Sequence, residues 1–195
     1  MDQGDAMAVL QELRGDAVVI TAMAAIEAWA QKSKLPSRDL PIADAMGKAS
    51  SVALGLALAR PEVKVIVLDG DGSLLSNLGT LATIAGKAPK NLYHFVLENG
   101  VYATTGGQPI PAQGLLSFAR LALAAGYASA YEFDNLEEFT ANAWRILEES
   151  GPGMVCLKTV PEIRSAEQGV APQDAPWHRS PLEMVADLRK SLGTA

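Results

Sequence analysis

The sequence predicts an α/β protein, a three-layer α/β/α arrangement on a mostly parallel central sheet. Apolar β-branched runs of five to seven residues alternate along the chain with longer stretches of helical period. Strand, helix, strand in alternation favours parallel pairing with helices on both faces. The middle runs are apolar without a polar residue at every second place, as strands covered on both faces require.

In chain order, "DAMAVLQELR" (5–14) has helical period and precedes a first strand, "AVVIT" (17–21). "AMAAIEAWAQK" (22–32) reads as a helix, and "SKLPSRDLPIAD" (33–44), with two prolines, reads as a connection. The helix "ASSVALGLALAR" (49–60) stops at Pro61 and leads into the strand "VKVIVL" (63–68). "GTLATIAGKA" (79–88), "GLLSFARLALAAG" (114–126) and "NLEEFTANAWRILEE" (135–149) are further helices; "LYHFVL" (92–97), "YASAYEF" (127–133) and "MVCLKTV" (154–160) are further strands. Four prolines between 161 and 181 point to an extended tail, after which "PLEMVADLRKSLG" (181–193) has a helix-starting proline and a glycine stop. At 195 residues the chain fits a single domain, residues 1–195, with a core over about 15–160 and a C-terminal tail and helix over 161–195.

Composition narrows the function classes. With 49% hydrophobic and 19% charged residues the chain is of the globular and not the disordered kind. The balance of 16 basic against 22 acidic residues gives a net charge of -6, and no Lys/Arg run is long enough to track a nucleic-acid backbone. Apolar runs fall short of the roughly 20 residues that a membrane span needs, and no signal-like segment is read, so neither nucleic acid nor membrane is an expected partner. The lone cysteine, Cys156, has no internal partner for a disulfide, which points to a reducing, cytoplasmic setting, and in "MVCLK" it reads as a packed thiol.

The stretch "VLDGDGSLLSN" (67–77) carries the chemistry. Glycines after a strand usually let something, often a phosphate, approach the backbone. Yet no Lys or Arg occurs over 69–86 or over 99–119. A dinucleotide fingerprint on Gly70 and Gly72 would need a third glycine where Leu75 stands, and no "GK[ST]" follows to make a P-loop. Two hard oxygen groups remain, the Asp71 carboxylate and the Asn99 amide, with 26 residues between Gly72 and Asn99. Each alone suits a blander role, Asp71 a helix N-cap and Asn99 an Asn-Gly turn. Together they lie at the carboxyl ends of successive strands, where open parallel sheets bind ligands.

"GDG", a helix and a strand, then "N", within "MGKASSVALGLALARPEVKVIVLDGDGSLLSNLGTLATIAGKAPKNLYHFVLENGVYATTGGQP", resembles the diphosphate-binding (PP) domain of thiamine-diphosphate-dependent enzymes. Over roughly residues 40–160 it is most similar to the sulfopyruvate decarboxylase β subunits and the matching half of the phosphonopyruvate decarboxylases. The resemblance implies thiamine diphosphate and Mg2+ as cofactors. It implies that Asp71, Asn99 and the backbone carbonyl of Val101 ligate the metal, with diphosphate oxygens and water completing a near-octahedral shell. Gly70 and the backbone N–H groups of Gly72, Ser73 and Leu74 would face the diphosphate. In "DAMG" (44–47), Met46, just before Gly47, would support the bent cofactor, and the Asp44 carbonyl would accept from its 4'-amino group. In "VYATTGGQP" (101–109), Tyr102, Thr104 and Thr105 would add contacts, with Gly106 and Gly107 as flap hinges.

The implied activity is that of a carboxy-lyase, decarboxylating a small anionic 2-oxo acid such as a 3-sulfo- or 3-phosphonopyruvate. In this family the glutamate that activates the cofactor comes from a pyrimidine-binding (Pyr) domain, which implies a separate α subunit and an α2β2 assembly. Two departures bear on the substrate: "VVITAMAAIEAWAQK" lacks the family's glycine-containing turn, and Ala103 stands where an acidic residue is common. An acetolactate-synthase-like carboligase subunit and a non-catalytic cofactor-binding subunit stay open as alternatives, and Leu75 disfavours a nicotinamide-dependent dehydrogenase. His94 and Asp69 read as structural, and His178 lies in the tail.

Overall fold

Six strands form one parallel sheet in a computed structural model that describes residues 1–43, 45–163 and 179–194. Its strands are β1 (Val18–Ala22), β2 (Asp39–Ile42), β3 (Val65–Gly70), β4 (Leu92–Glu98), β7 (Ser129–Phe133) and β8 (Gly153–Lys158), in the order β2-β1-β3-β4-β8-β7. A short antiparallel hairpin, β5 (Val101–Tyr102) with β6 (Gln108–Pro109), stands apart. The α/β/α expectation is met.

Alternation of side chains splits the core in two. Val18, Ile20, Val65 and Val67 face a cluster shared with helices α3 (Ala49–Ala59), α5 (Thr80–Lys87), α6 (Phe118–Ala125) and α8 (Pro181–Ser191). Val19, Ile66, Leu68 and Phe95 face the other layer, α1 (Gln3–Leu13), α2 (Ala24–Ala30) and α7 (Leu136–Glu148). Each fully buried Val, Ile or Leu contributes about 1.5–3 kcal/mol, so a one-residue slip of β1 or β3 is strongly disfavoured. Cys156 is fully buried in β8, and burial raises its thiol pKa, so it is the packed thiol the sequence suggests.

Two expectations are corrected. The segment 33–44 contains a strand, β2, which pairs with β1 alone. Pro41 is tolerated because an edge strand need not donate on its outer side. The core also starts ahead of residue 15: Ala6, Met7 and Leu10 are fully buried, and the Met1 amine donates to the Lys158 carbonyl at 2.8 Å. Asp44, His178 and most of the proposed extended tail lie outside the described residues. Helix α8 opens on Pro181 behind a Ser180–Glu183 capping box, with Gly193 at φ 67° beyond its end.

Arg14 fastens the edge strand. Its guanidinium donates to Asp39 Oδ1 at 2.7 Å, to the Ala17 carbonyl at 2.7 Å and to Ser33 Oγ at 3.2 Å, and it lies 5.2 Å from the centre of the Trp29 ring. The Arg14 side chain is 1% exposed and that of Asp39 12%, so removing one partner strands a buried charge. Arg14→Leu should therefore lower stability by about 3 kcal/mol or more, and adding Asp39→Leu should recover part of the loss, as measured by urea unfolding of the three variants.

Candidate functional site

The chain runs from β1 outward to the edge strand β2 and returns to β3 on β1's other side. This reversal opens a crevice above the carboxyl ends of β1 and β3, where open α/β sheets place their ligands. The turn after β3 enters the short helix α4 (Asp71–Leu75), with Gly70 as its extended N-cap.

Asp71 is 2% exposed and its two oxygens are spoken for separately. Oδ1 accepts from the Gly72 N–H at 2.7 Å, and Oδ2 accepts from the Gly100 N–H at 2.6 Å, which joins the turn after β3 to the turn after β4. Asn99 Oδ1 accepts from the Val101 N–H at 2.9 Å, and Gly100 turns the chain at φ 78°. Burial raises the Asp71 pKa; the Gly100 and Gly72 N–H groups oppose that shift and the charge of Glu98 adds to it. Among the described residues no Lys, Arg or His pairs with this carboxylate, and no group of three His, Cys, Asp or Glu is placed to hold an ion. A buried, unpaired carboxylate beside an amide oxygen and turn carbonyls fits a hard divalent cation that draws its remaining oxygens from a ligand.

The "AMG" segment is tied to the same turn. The Gly47 N–H donates to Ser73 Oγ at 3.0 Å, and Asn77 Nδ2 donates to the Gly47 carbonyl at 2.8 Å. Gly47 has φ 71°, and a Cβ there would sit 2.6 Å from the Asn77 Cβ, so position and conformation both demand glycine. Tyr102 of the hairpin packs against the other glycine: a Cβ on Gly72 would come within 2.4 Å of its ring.

These pieces enclose a cavity. Met46, Gly70, Gly72, Ser73, Asn99, Val101, Tyr102 and Thr104 line it, so eight of the expected site residues meet there. Asp71 lies buried beside them, and Gly47 is held through Ser73. The Leu74 side chain is fully buried in the core, which leaves its backbone as the group it can offer. Thr105 lies away from the cavity wall and donates to the Tyr102 carbonyl at 3.4 Å, while Gly106 and Gly107, at φ 104° and 79°, close a tight hairpin.

The wall on the β1 side was not expected. It consists of Gln3, Met23, Ala24 and Ala25, with Leu97 and Ala103 completing the lining. Met23 has φ 51° and ψ -127°, a backbone that glycine favours, in the turn after β1. Nothing in the sequence marks Gln3 for this wall, since the helical period starts at residue 5, whereas Asp2 caps α1 from Gln3 onward.

Two neighbouring groups lie outside the cavity. Behind the turn, His94 Nε2 is 3.6 Å from Asp69 Oδ2 and His94 Nδ1 is 3.5 Å from the Tyr127 hydroxyl, all in the interior. Burial, then the Asp69 charge, keeps the Tyr127 phenol protonated. A second cavity, of about 200 Å³, shares Asn99 with the first and is also bordered by Glu98, Gly100, Ile110, Gln113 and Phe118; Glu98 pairs with Lys158 at 2.8 Å.

The family described as "Thiamine pyrophosphate enzyme, C-terminal TPP binding domain" matches residues 22–157. The phosphonopyruvate decarboxylase of Streptomyces viridochromogenes is 37% identical over 155 residues, which cover 78% of this chain and 38% of that protein. Sulfopyruvate decarboxylase subunit beta of Methanocaldococcus jannaschii is 38% identical over 124 residues, 64% of this chain and 65% of that one. The chain thus spans well under half of the first relative and about two thirds of the second. Among solved structures, the thiamine diphosphate-dependent 4-hydroxybenzoylformate decarboxylase of Rhodococcus jostii RHA1 superposes with a TM-score of 0.69 at 21% identity, over 82% of this chain and 33% of that one. At that identity the likeness speaks for the fold alone.

Two outcomes follow from the geometry. Gly72→Ala should destabilise the protein by driving the new methyl into Tyr102, and a second change, Tyr102→Ala, should relieve the clash so that the pair costs less than the sum of the single variants in thermal unfolding. At position 23, the Gly variant should be more stable than the Ala variant by about 1 kcal/mol or more, since only glycine adopts that backbone without strain.

Proposed function

The chain belongs to the family of thiamine pyrophosphate enzymes, as a C-terminal TPP binding domain, and on that premise we propose that it is the thiamine-diphosphate- and Mg2+-binding subunit of a 2-oxo acid decarboxylase. The observation that carries the proposal is the buried Asp71 carboxylate, which joins two strand-end turns and has no basic partner among the described residues.

In this reading Asp71, the Asn99 amide oxygen and the Val101 carbonyl hold Mg2+, which neutralises a diphosphate that no lysine or arginine faces among the described residues. Gly70, Gly72, Ser73 and the Leu74 backbone lie along the diphosphate, and Tyr102 and Thr104 border it from the hairpin. Met46 supports the ring system, and Asp44 would offer its carbonyl to the 4'-amino group. Met23, Ala24, Met46 and Leu97 keep water from the wall, which strengthens every polar contact inside. When bound, thiamine diphosphate supplies the electron sink for loss of CO2 from a 2-oxo acid.

A second chain belongs to the proposal. None of the residues lining the cavity is a glutamate, and the activating carboxylate is assigned to a Pyr-domain α subunit, in an α2β2 assembly. The "subunit beta" name of the M. jannaschii relative supports that division. The proposed substrate is a small anionic 2-oxo acid of the sulfopyruvate or phosphonopyruvate kind, as the names of both relatives suggest. A cytoplasmic setting completes the reading. Among the described residues no helix is long and apolar enough to cross a membrane.

Purified with its partner, the protein should release CO2 from sulfopyruvate or phosphonopyruvate only when thiamine diphosphate and Mg2+ are both present, and Asp71→Ala should weaken Mg2+-dependent cofactor binding at least about tenfold in calorimetry, the loss of one charged ligand. Turnover by this chain alone would sink the split site. Product analysis with an added aldehyde separates decarboxylation from carboligation.

A further inference from the structure

We propose that Gln3 is a diphosphate-binding residue of this chain, donating its side-chain amide N–H to a phosphate oxygen from the β1 side of the cavity. The inference rests on the reading that the cavity takes thiamine diphosphate.

The three sides of the cavity differ in what they offer an anion. Toward β3 stand Gly70, Gly72 and Ser73, with backbone N–H groups and a hydroxyl. Toward β4 stand Asn99 and Val101, whose oxygens suit a cation and not a phosphate. Toward β1 stand Met23, Ala24 and Ala25, which carry no polar side-chain atom, and Gln3 is the polar side chain on that wall. A diphosphate seated between the first and third sides meets, on the β1 flank, the backbone at the start of α2 and one polar side chain, Gln3. An amide donates without adding charge, in keeping with a site whose neutralisation is left to the metal.

The present contacts of Gln3 leave it available. It is 6% exposed, and its Nε2 reaches the Ala24 carbonyl at 3.4 Å, the long limit of a hydrogen bond. Its Oε1 has no hydrogen-bond partner among the described residues. The Nε2 donor is thus only weakly engaged and can exchange its acceptor. A phosphate oxygen supplies an acceptor much stronger than a stretched carbonyl contact.

The backbone beneath Gln3 is fixed in advance. The Asp2 carboxylate caps α1 by accepting from the Asp5 N–H at 2.9 Å. The Met1 amine donates to the Lys158 carbonyl at 2.8 Å, and the Val160 N–H donates to the Met1 carbonyl at 3.0 Å, which sews the start of the chain to the end of β8. Little conformational freedom is left for a ligand to remove, the condition under which one neutral donor yields measurable affinity.

The test is calorimetric titration of thiamine diphosphate with Mg2+ into the chain, with any subunit that co-purifies, for wild type, Gln3→Ala and Gln3→Glu, alongside thermal unfolding of each without ligand. Gln3→Ala should bind about tenfold more weakly, a hydrogen bond to a charged group. Gln3→Glu is close to isosteric and keeps the fold if Ala does not; it removes the donor and adds a negative charge, so it should bind more weakly still. A residue that only packs against Ala24 would instead lower the ligand-free melting temperature without ordering the affinities by charge. Wild-type affinity in both variants would overturn the role of Gln3 while leaving the cofactor reading intact. A wild-type protein that takes up no thiamine diphosphate would overturn both.

Discussion

The site hangs on one carboxylate that is expensive to bury. Asp71 is almost wholly removed from water, and its charge is met by two backbone N–H groups and no basic side chain among the described residues. Taking an ionised carboxylate out of water costs several kcal/mol unless it is paired or ligates a metal. At Asp71 the fold tolerates that cost where β3 and β4 deliver consecutive turns side by side. There the same group acts as a clasp between them. A cation would turn a liability into the centre of the site, which is why the electrostatics and the topology argue for the same chemistry.

Around the clasp, precision comes from close backbone approach. Gly47 and Gly72 are each filled against by a neighbour, Asn77 and the Tyr102 ring, at distances that leave no room for a methyl group. Ser73 and Asn77 of α4 and its C-terminal turn hold Gly47 by both its N–H and its carbonyl. Three segments far apart in sequence therefore share one rigid wall. Such a wall needs glycines for packing, not for flexibility, and the turns of the hairpin at Gly106 and Gly107 are tight for the same reason.

How much of this was legible in the sequence depended on whether a residue's role is local. Strands β1, β3, β4 and β8 announce themselves because both faces are buried, so nearly every residue must be apolar. β2 does not, since an edge strand with Asp39 and Pro41 gains its identity from pairing with β1 and from Arg14, which lies 25 residues earlier. Asp71 and Asn99 were legible as a pair because successive parallel strands put their carboxyl ends in one crevice. Leu74 enters the motif through its backbone alone, since helical geometry turns its side chain into the core. Gln3 and Met23 reach the cavity only through tertiary packing of α1 and the β1 turn, which no spacing rule encodes.

The β1 turn also bears on what the site can be. Where a glycine turn would bring backbone close to a ligand, this chain keeps the glycine-like backbone at Met23 but adds a large apolar side chain and follows it with two alanines. That exchange makes one wall of the cavity drier and wider apart in chemistry from the opposite wall of N–H groups and hydroxyls. In the proposed reading an anion meets donors on the β3 side and a metal on the β4 side, with Gln3 as the polar side chain of the β1 wall. The cavity is one-sided, apolar toward β1 and polar toward β3, and no carboxylic acid lines it among the described residues, which is why the proposed reading calls on a second chain.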